Sequence, residues 1–405
     1  MRTFFAEEYV AKAGQIRRQI CSETYLQNNM KNTQSNISDM RNNISNAQNC
    51  NKSNAQNSAD NAGESKIKGD VPSKRLAGPD VVRFIASLFV VMAHFYLNCN
   101  YYNEPLVGGK MFIETFFRWL FIICVPLYMM LSGFFLKNRQ PNKKHYMSIL
   151  PLLISYLIVS VCKMLLYNRL YGEIYPFKEM LKNLGNYNIA WYMGMYICII
   201  ILSPLINKFW AALSDKKERH IAIISLLILC SVYPVFHYIA PSFMIGLYPV
   251  LYYLLGAYIR DNRPKINKLV LAGVIFTSVL IETLISYFGV HGGVFDWNLI
   301  TQPDTGFGSI FVVAAAVSVF LMFYDVDIKN SRIKKLLAKI GGVSFEIYIC
   351  AGAMDAIVYS YLKRTITSAV DFFWYFFLTV PVVYVSAVII AIALREIINR
   401  VLKKQ

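Results

Sequence analysis

The sequence predicts an all-α fold: a polytopic transmembrane helical bundle of about ten spans behind a disordered N-terminal tail. Three observations predict it. Of 405 residues, 56% are hydrophobic and only 16% charged, whereas soluble domains carry roughly a quarter charged residues. Apolar runs of about 20 residues, long enough to cross a hydrocarbon core of about 30 Å, recur from residue 80 to the end. Basic residues collect in alternate loops between those runs, the pattern that fixes membrane orientation. The same distribution explains the net charge of +17 without nucleic acid. Topology and anionic lipid contact account for the basic loops, and some of them are also placed to meet a phosphorylated ligand.

Residues 1–75 form a separate region. Asn, Ser, Gln and Lys dominate residues 27–66, and SNAQN occurs twice, at 45–49 and 53–57. Such a tract buries too little apolar surface to offset its ordering entropy. A mostly disordered cytoplasmic tail is expected, with a short helix near residues 3–20. No signal peptide is expected, because Glu7, Glu8, Arg17 and Arg18 interrupt the first 20 residues. Residues 76–405 form the membrane domain.

The expected spans are 80–100, 111–136, 148–167, 190–209, 220–239, 243–260, 268–289, 307–325, 341–362 and 372–395. Loops on the side of the tail, with the C-terminal segment, hold 21 Lys and Arg, and loops on the other side hold 6. An even number of spans with both termini in the cytoplasm follows, as does a multi-pass location in the cell membrane.

The first span, PDVVRFIASLFVVMAHFYLN at residues 79–98, carries Asp80, Arg83 and His94. Charge is costly inside a bilayer, so such residues carry a functional hypothesis. Eleven residues complete three helical turns, which puts Arg83 and His94 on one face about 16 Å apart. Asp80, three positions before Arg83, suits a salt bridge that lowers the cost of burying both. A membrane-edge Arg83 snorkelling to the interface is the alternative. His94 has no local polar partner, and a neutral imidazole there can accept a proton from a hydroxyl.

The second span holds Glu114 and Arg118 at ion-pair spacing. Arg118 is a candidate for orienting an acceptor or stabilising an oxyanion, and Glu114 for binding substrate; a structural pair bridging helices is equally open. That span ends in LSGFFL, where Ser132 and Gly133 permit close helix approach. Lys143 and Lys144 follow in a basic loop, where they would meet phosphates. Trp191 and Tyr192 open the fourth span, as sugar-site walls or as interfacial anchors. The outer loops 168–189 and 290–306 add Tyr171, Tyr175, Tyr187, His291, Asp296, Trp297 and Asp304, a composition that suits carbohydrate or an aromatic belt. Glu282, Glu346 and Asp355 lie within later spans and are expected to face the bundle interior. The eight cysteines show no metal-ligand spacing and imply no disulfide framework.

Asp80-x-x-Arg83, ten residues and then His94, LSGFFL, a basic loop ending in Pro151 and a Trp-led fourth span before Pro204 resemble the acyltransferase 3 family of integral membrane O-acyltransferases. The resemblance covers about residues 76–395, and Arg-x10-His is its specific element. It departs at Asn188, near where relatives often carry His, and at Ser344-Phe345-Glu346-Ile347-Tyr348-Ile349-Cys350-Ala351, which lacks a closing His.

The resemblance implies acyl-CoA, most plausibly acetyl-CoA, as a cytoplasmic co-substrate and no permanently bound cofactor. It implies a sugar hydroxyl of a cell-surface or lipid-linked glycan as acceptor, and the lipid bilayer as surroundings. His94 is then the general base. Arg83, Lys143 and Lys144 hold the coenzyme phosphates, and Arg118 stabilises developing charge. The same domain forms the membrane half of vancomycin-resistance serine racemases, so a transporter of serine or of a glycan intermediate is the other reading. No soluble racemase or esterase domain is expected after the last span.

Overall fold

The computed structural model describes residues 76–172, 176–185, 190–235, 241–289, 306–366 and 368–403. The expected tail at 1–75, the helix near 3–20, the outer loop at 290–305 and Asn188 lie outside the described residues. The elements run α1 (Ala77–Asn98), α2 (Gly109–Ile122), α3 (Cys124–Leu136), α4 (Lys143–Met147), α5 (Leu150–Tyr171), α6 (Phe177–Gly185), α7 (Trp191–Ala212), α8 (Lys216–Val235), α9 (Tyr248–Asn262), α10 (Lys268–Phe288), α11 (Ile310–Phe323), α12 (Ser331–Gly342), α13 (Ser344–Leu362), α14 (Ala369–Phe372) and α15 (Phe376–Lys403). Short 3₁₀ turns at Tyr101–Asn103, Ser242–Leu247 and Phe373–Tyr375 join some of them.

Among the described residues, eight helical stretches are long and apolar enough to cross a membrane, and the protein is a helical, multi-pass membrane protein. Each of the ten expected spans corresponds to helix, but two fall short of that standard. α11 has 14 residues, about 21 Å of rise against a core of about 30 Å. α8 opens with Lys216, Lys217, Glu218 and Arg219, ahead of the expected start at 220, and its described part ends at Val235.

Helix α1 is the axis of the arrangement. Val82, Ala86 and Val90 join an apolar core with α3, α9 and α11. Val91, Phe95 and Tyr96 join a second core with α13 and α15. A helix apolar on several faces is a central one, and a polar side chain on it is held inside the protein.

Glycine and proline set the local geometry. Gly133 of α3 lies against the Tyr253 carbonyl, and Gly256 of α9 against the Met130 carbonyl; a Cβ on either would overlap backbone. This reciprocal contact is the close approach that LSGFFL predicts. Pro126 breaks the second span at Ile123, because proline has no N–H to give to the Ile122 carbonyl. The Cys124 thiol donates to that carbonyl instead, at 3.7 Å. Pro204 likewise frees the Ile200 carbonyl inside α7. The Ser203 hydroxyl donates to it at 2.8 Å, and His145 Nε2 meets it at 2.9 Å. The basic loop is thereby pinned to the fourth span by a buried histidine.

Candidate active site

Asp80 and Arg83 form the expected pair, 2.7 Å apart, with Asp80 buried and Arg83 partly accessible. The Arg83 guanidinium also lies 4.4 Å from the centre of the Phe135 ring, a cation–π contact that holds it in a fixed direction. It borders a cavity of about 230 Å³, together with Ser132, Phe135, Tyr196 and Phe345. The guanidinium thus faces a protein-lined space.

His94 borders a second cavity of about 360 Å³, walled by Ala93, Leu97, Val125, Trp191 and Phe307 among others. Its Nδ1 lies 2.8 Å from Asp355 Oδ2 on α13. A carboxylate at that distance accepts the Nδ1–H, which leaves Nε2 with a lone pair. The imidazole is oriented as a base is oriented in catalytic dyads, and the carboxylate is placed to stabilise the imidazolium once a proton arrives. The helical spacing therefore brings Arg83 and His94 to two cavities along one helix.

The two cavities share three residues of their walls, and all three are tyrosines. Tyr128 of α3, Tyr192 of α7 and Tyr348 of α13 border both. The ring centres of Tyr128 and Tyr192 are 5.8 Å apart, and those of Tyr192 and Tyr348 are 5.5 Å apart. Tyr348 reaches within 6.3 Å of the His94 ring. A septum of phenol rings therefore lies between the guanidinium and the imidazole. Tyr192 is part of this septum, while the half-exposed Trp191 stays on the His94 side.

The Glu114–Arg118 pair is corrected. Both carboxylate oxygens of Glu114 are buried without a hydrogen-bond partner. Its side chain borders a different cavity, of about 270 Å³, walled by Phe95, Phe117, Phe121, Phe373, Phe376 and Phe377. Arg118 packs its guanidinium 4.1 Å from the Trp119 ring centre and donates through Nε to the Tyr102 hydroxyl at 3.2 Å. Spacing alone permits the pair, but the aromatic neighbours draw each side chain to a different place. Tyr102 borders the His94 cavity, so Arg118 reaches that space through a phenol. The neighbouring Tyr101 accepts or donates at 2.8 Å with Thr115, and burial pushes its phenol up to about 12. It stays neutral and anchors the short turn that carries Tyr102.

Lys143 and Lys144 are exposed on α4. They are not among the residues that wall the Arg83 cavity. Sequence reasoning placed Asp355 and Tyr348 in spans without a role, and missed Tyr128 and Lys163. Lys163 lies inside α5, its Nζ 3.1 Å from where a Cβ on Gly352 would stand. Its signal was a lysine inside an apolar run.

Fold and site together define a multi-pass membrane protein with ionisable groups set around internal cavities. Residues 76–395 match the acyltransferase domain family, and the chain belongs to the acyltransferase 3 family. No curated protein and no solved structure matches it. It is a membrane acyltransferase.

Proposed function

We propose that the protein transfers an acetyl group from cytoplasmic acetyl-CoA to a hydroxyl of an extracytoplasmic or lipid-linked glycan, with His94 as general base. The observation that carries this reading is the His94–Asp355 contact of 2.8 Å at the wall of a cavity. It gives an intramembrane imidazole a fixed tautomer and a free Nε2.

In this mechanism, Arg83 engages the coenzyme phosphates from the cytoplasmic side, with Lys143 and Lys144 at the entrance. The pantetheine arm extends past Tyr128, Tyr192 and Tyr348, whose side chains turn aside to let it through. The acceptor hydroxyl enters on the Trp191 side and gives its proton to His94 Nε2. Its oxygen attacks the thioester carbonyl carbon, forming a tetrahedral intermediate. Collapse breaks the carbon–sulfur bond, and the departing thiolate takes the proton back from the imidazolium. Ester and free thiol are the products, and the base is regenerated. Arg118 stabilises the oxyanion through the Tyr102 hydroxyl that it holds.

The test uses membranes that contain the protein and their endogenous glycan, given labelled acetyl-CoA. His94→Ala is expected to lower acetyl incorporation by ~10²–10⁴-fold, the range for loss of a general base. Incorporation within a few-fold of the unaltered protein would overturn the assignment.

A further inference from the structure

Asp355 is an exposed question in chemical terms: its Oδ2 holds His94, while its Oδ1 is buried without a hydrogen bond. A carboxylate using one oxygen in a membrane span is costly to keep ionised. The groups that face it are few. His94 comes from α1. Tyr359, one turn along α13, meets the Thr379 hydroxyl of α15 at 3.5 Å. Lys163 comes from α5, with its Nζ packed over Gly352, one helical turn before Asp355.

Gly352 and Asp355 are three residues apart on α13, so they share a face. The Lys163 ammonium lies over Gly352, and any side chain at that position would have to displace it. The glycine thus clears a berth for a cation one helical turn from the carboxylate. Lys163 sits 13 residues into α5, about 20 Å from its start, in the outer half of the helix. The Tyr167 ring, 5.6 Å from Nζ, adds a second favourable contact.

We propose that Lys163 is a positioning residue of the acetyl transfer: its ammonium is the counter-charge that keeps Asp355 ionised and fixed on His94. The claim rests on the reading of His94 as the base. Without the cation, a proton takes its place on Asp355, and a neutral carboxyl no longer stabilises the imidazolium.

The experiment combines infrared difference spectra with kinetics on the purified full-length protein in detergent. K163M is expected to show a protonated-carboxyl band at neutral pH that K163R lacks and that K163M/D355N loses. This readout needs no turnover, so it tests the counter-charge even where acetyl transfer itself is not found. In the transfer assay, K163M should lower kcat by ~10–100-fold with the KM for acetyl-CoA unchanged, and K163R should restore most of it. In the D355N background, K163M should have no further effect. K163Q, which keeps a polar side chain without the charge, should show the same band, and it serves where K163M does not fold. Absence of the band in both K163M and K163Q, or equal slowing by K163M with and without Asp355, would overturn the proposal.

Discussion

His94 and Asp355 stand 261 positions apart in the chain and 2.8 Å apart in space. The first half of that dyad was legible from sequence, because Arg83 and His94 belong to one helix and helical geometry fixes their common face. The second half was not. Asp355, Glu282 and Glu346 looked alike as carboxylates in spans, and only packing separates them. Glu346 is held by Arg395 at 2.5 Å and by the Ser155 hydroxyl at 3.3 Å. Glu282 takes the Ser309 hydroxyl. Glu114 shows the reverse error, since ideal ion-pair spacing yielded no pair. Its carboxyl is buried with neither oxygen satisfied, so Glu114→Met, of similar length and apolar, should stabilise the protein by about 1–3 kcal/mol. The measurement is the thermal midpoint in detergent, and a fall in it would show that Glu114 has a partner of its own.

At the scale of elements, the sequence carried the spans well, because apolar length is a local property. Among the described residues, α8 and α11 are the two expected spans that fall below the length or apolarity of the other eight. What packs against what depended on small residues. The α3–α9 contact rests on Gly133 and Gly256, each pressed against the other helix's backbone. Gly256→Val places a branched side chain against the Met130 carbonyl. It should cost about 1–3 kcal/mol or more, as overpacking does, and lower the thermal midpoint by several degrees. Gly273, with open space around its Cβ position, is the control site; equal losses at 256 and 273 would deny the contact its importance. The fourth span shows how one missing N–H organises two elements: Pro204 frees a carbonyl, and the buried His145 takes it. LSGFFL, the basic loop and Pro204 were each readable in the sequence, but the contact joining loop to kink was not.

For the whole molecule, the proposed function takes the orientation expected from the basic loops, with the Arg83 end toward the cytoplasm. The proposed donor then has access from one side only. In sealed vesicles, acetyl-CoA should drive transfer when presented to the inside-out population and fail with right-side-out vesicles, as read by labelled acetyl on the opposite face. Equal activity in both orientations would reject the sidedness. The two cavities give this asymmetry a structural form: a guanidinium borders one, and an imidazole and an exposed tryptophan border the other.

The tyrosine septum bears on a different property of the cell. A passage from cytoplasm to exterior that admits a coenzyme arm would also admit protons and small ions. On the proposed route, the three phenols packed between the chambers close that leak whenever no coenzyme arm is in transit. The proposed transfer then hands a group across the bilayer while the electrochemical gradient stays intact.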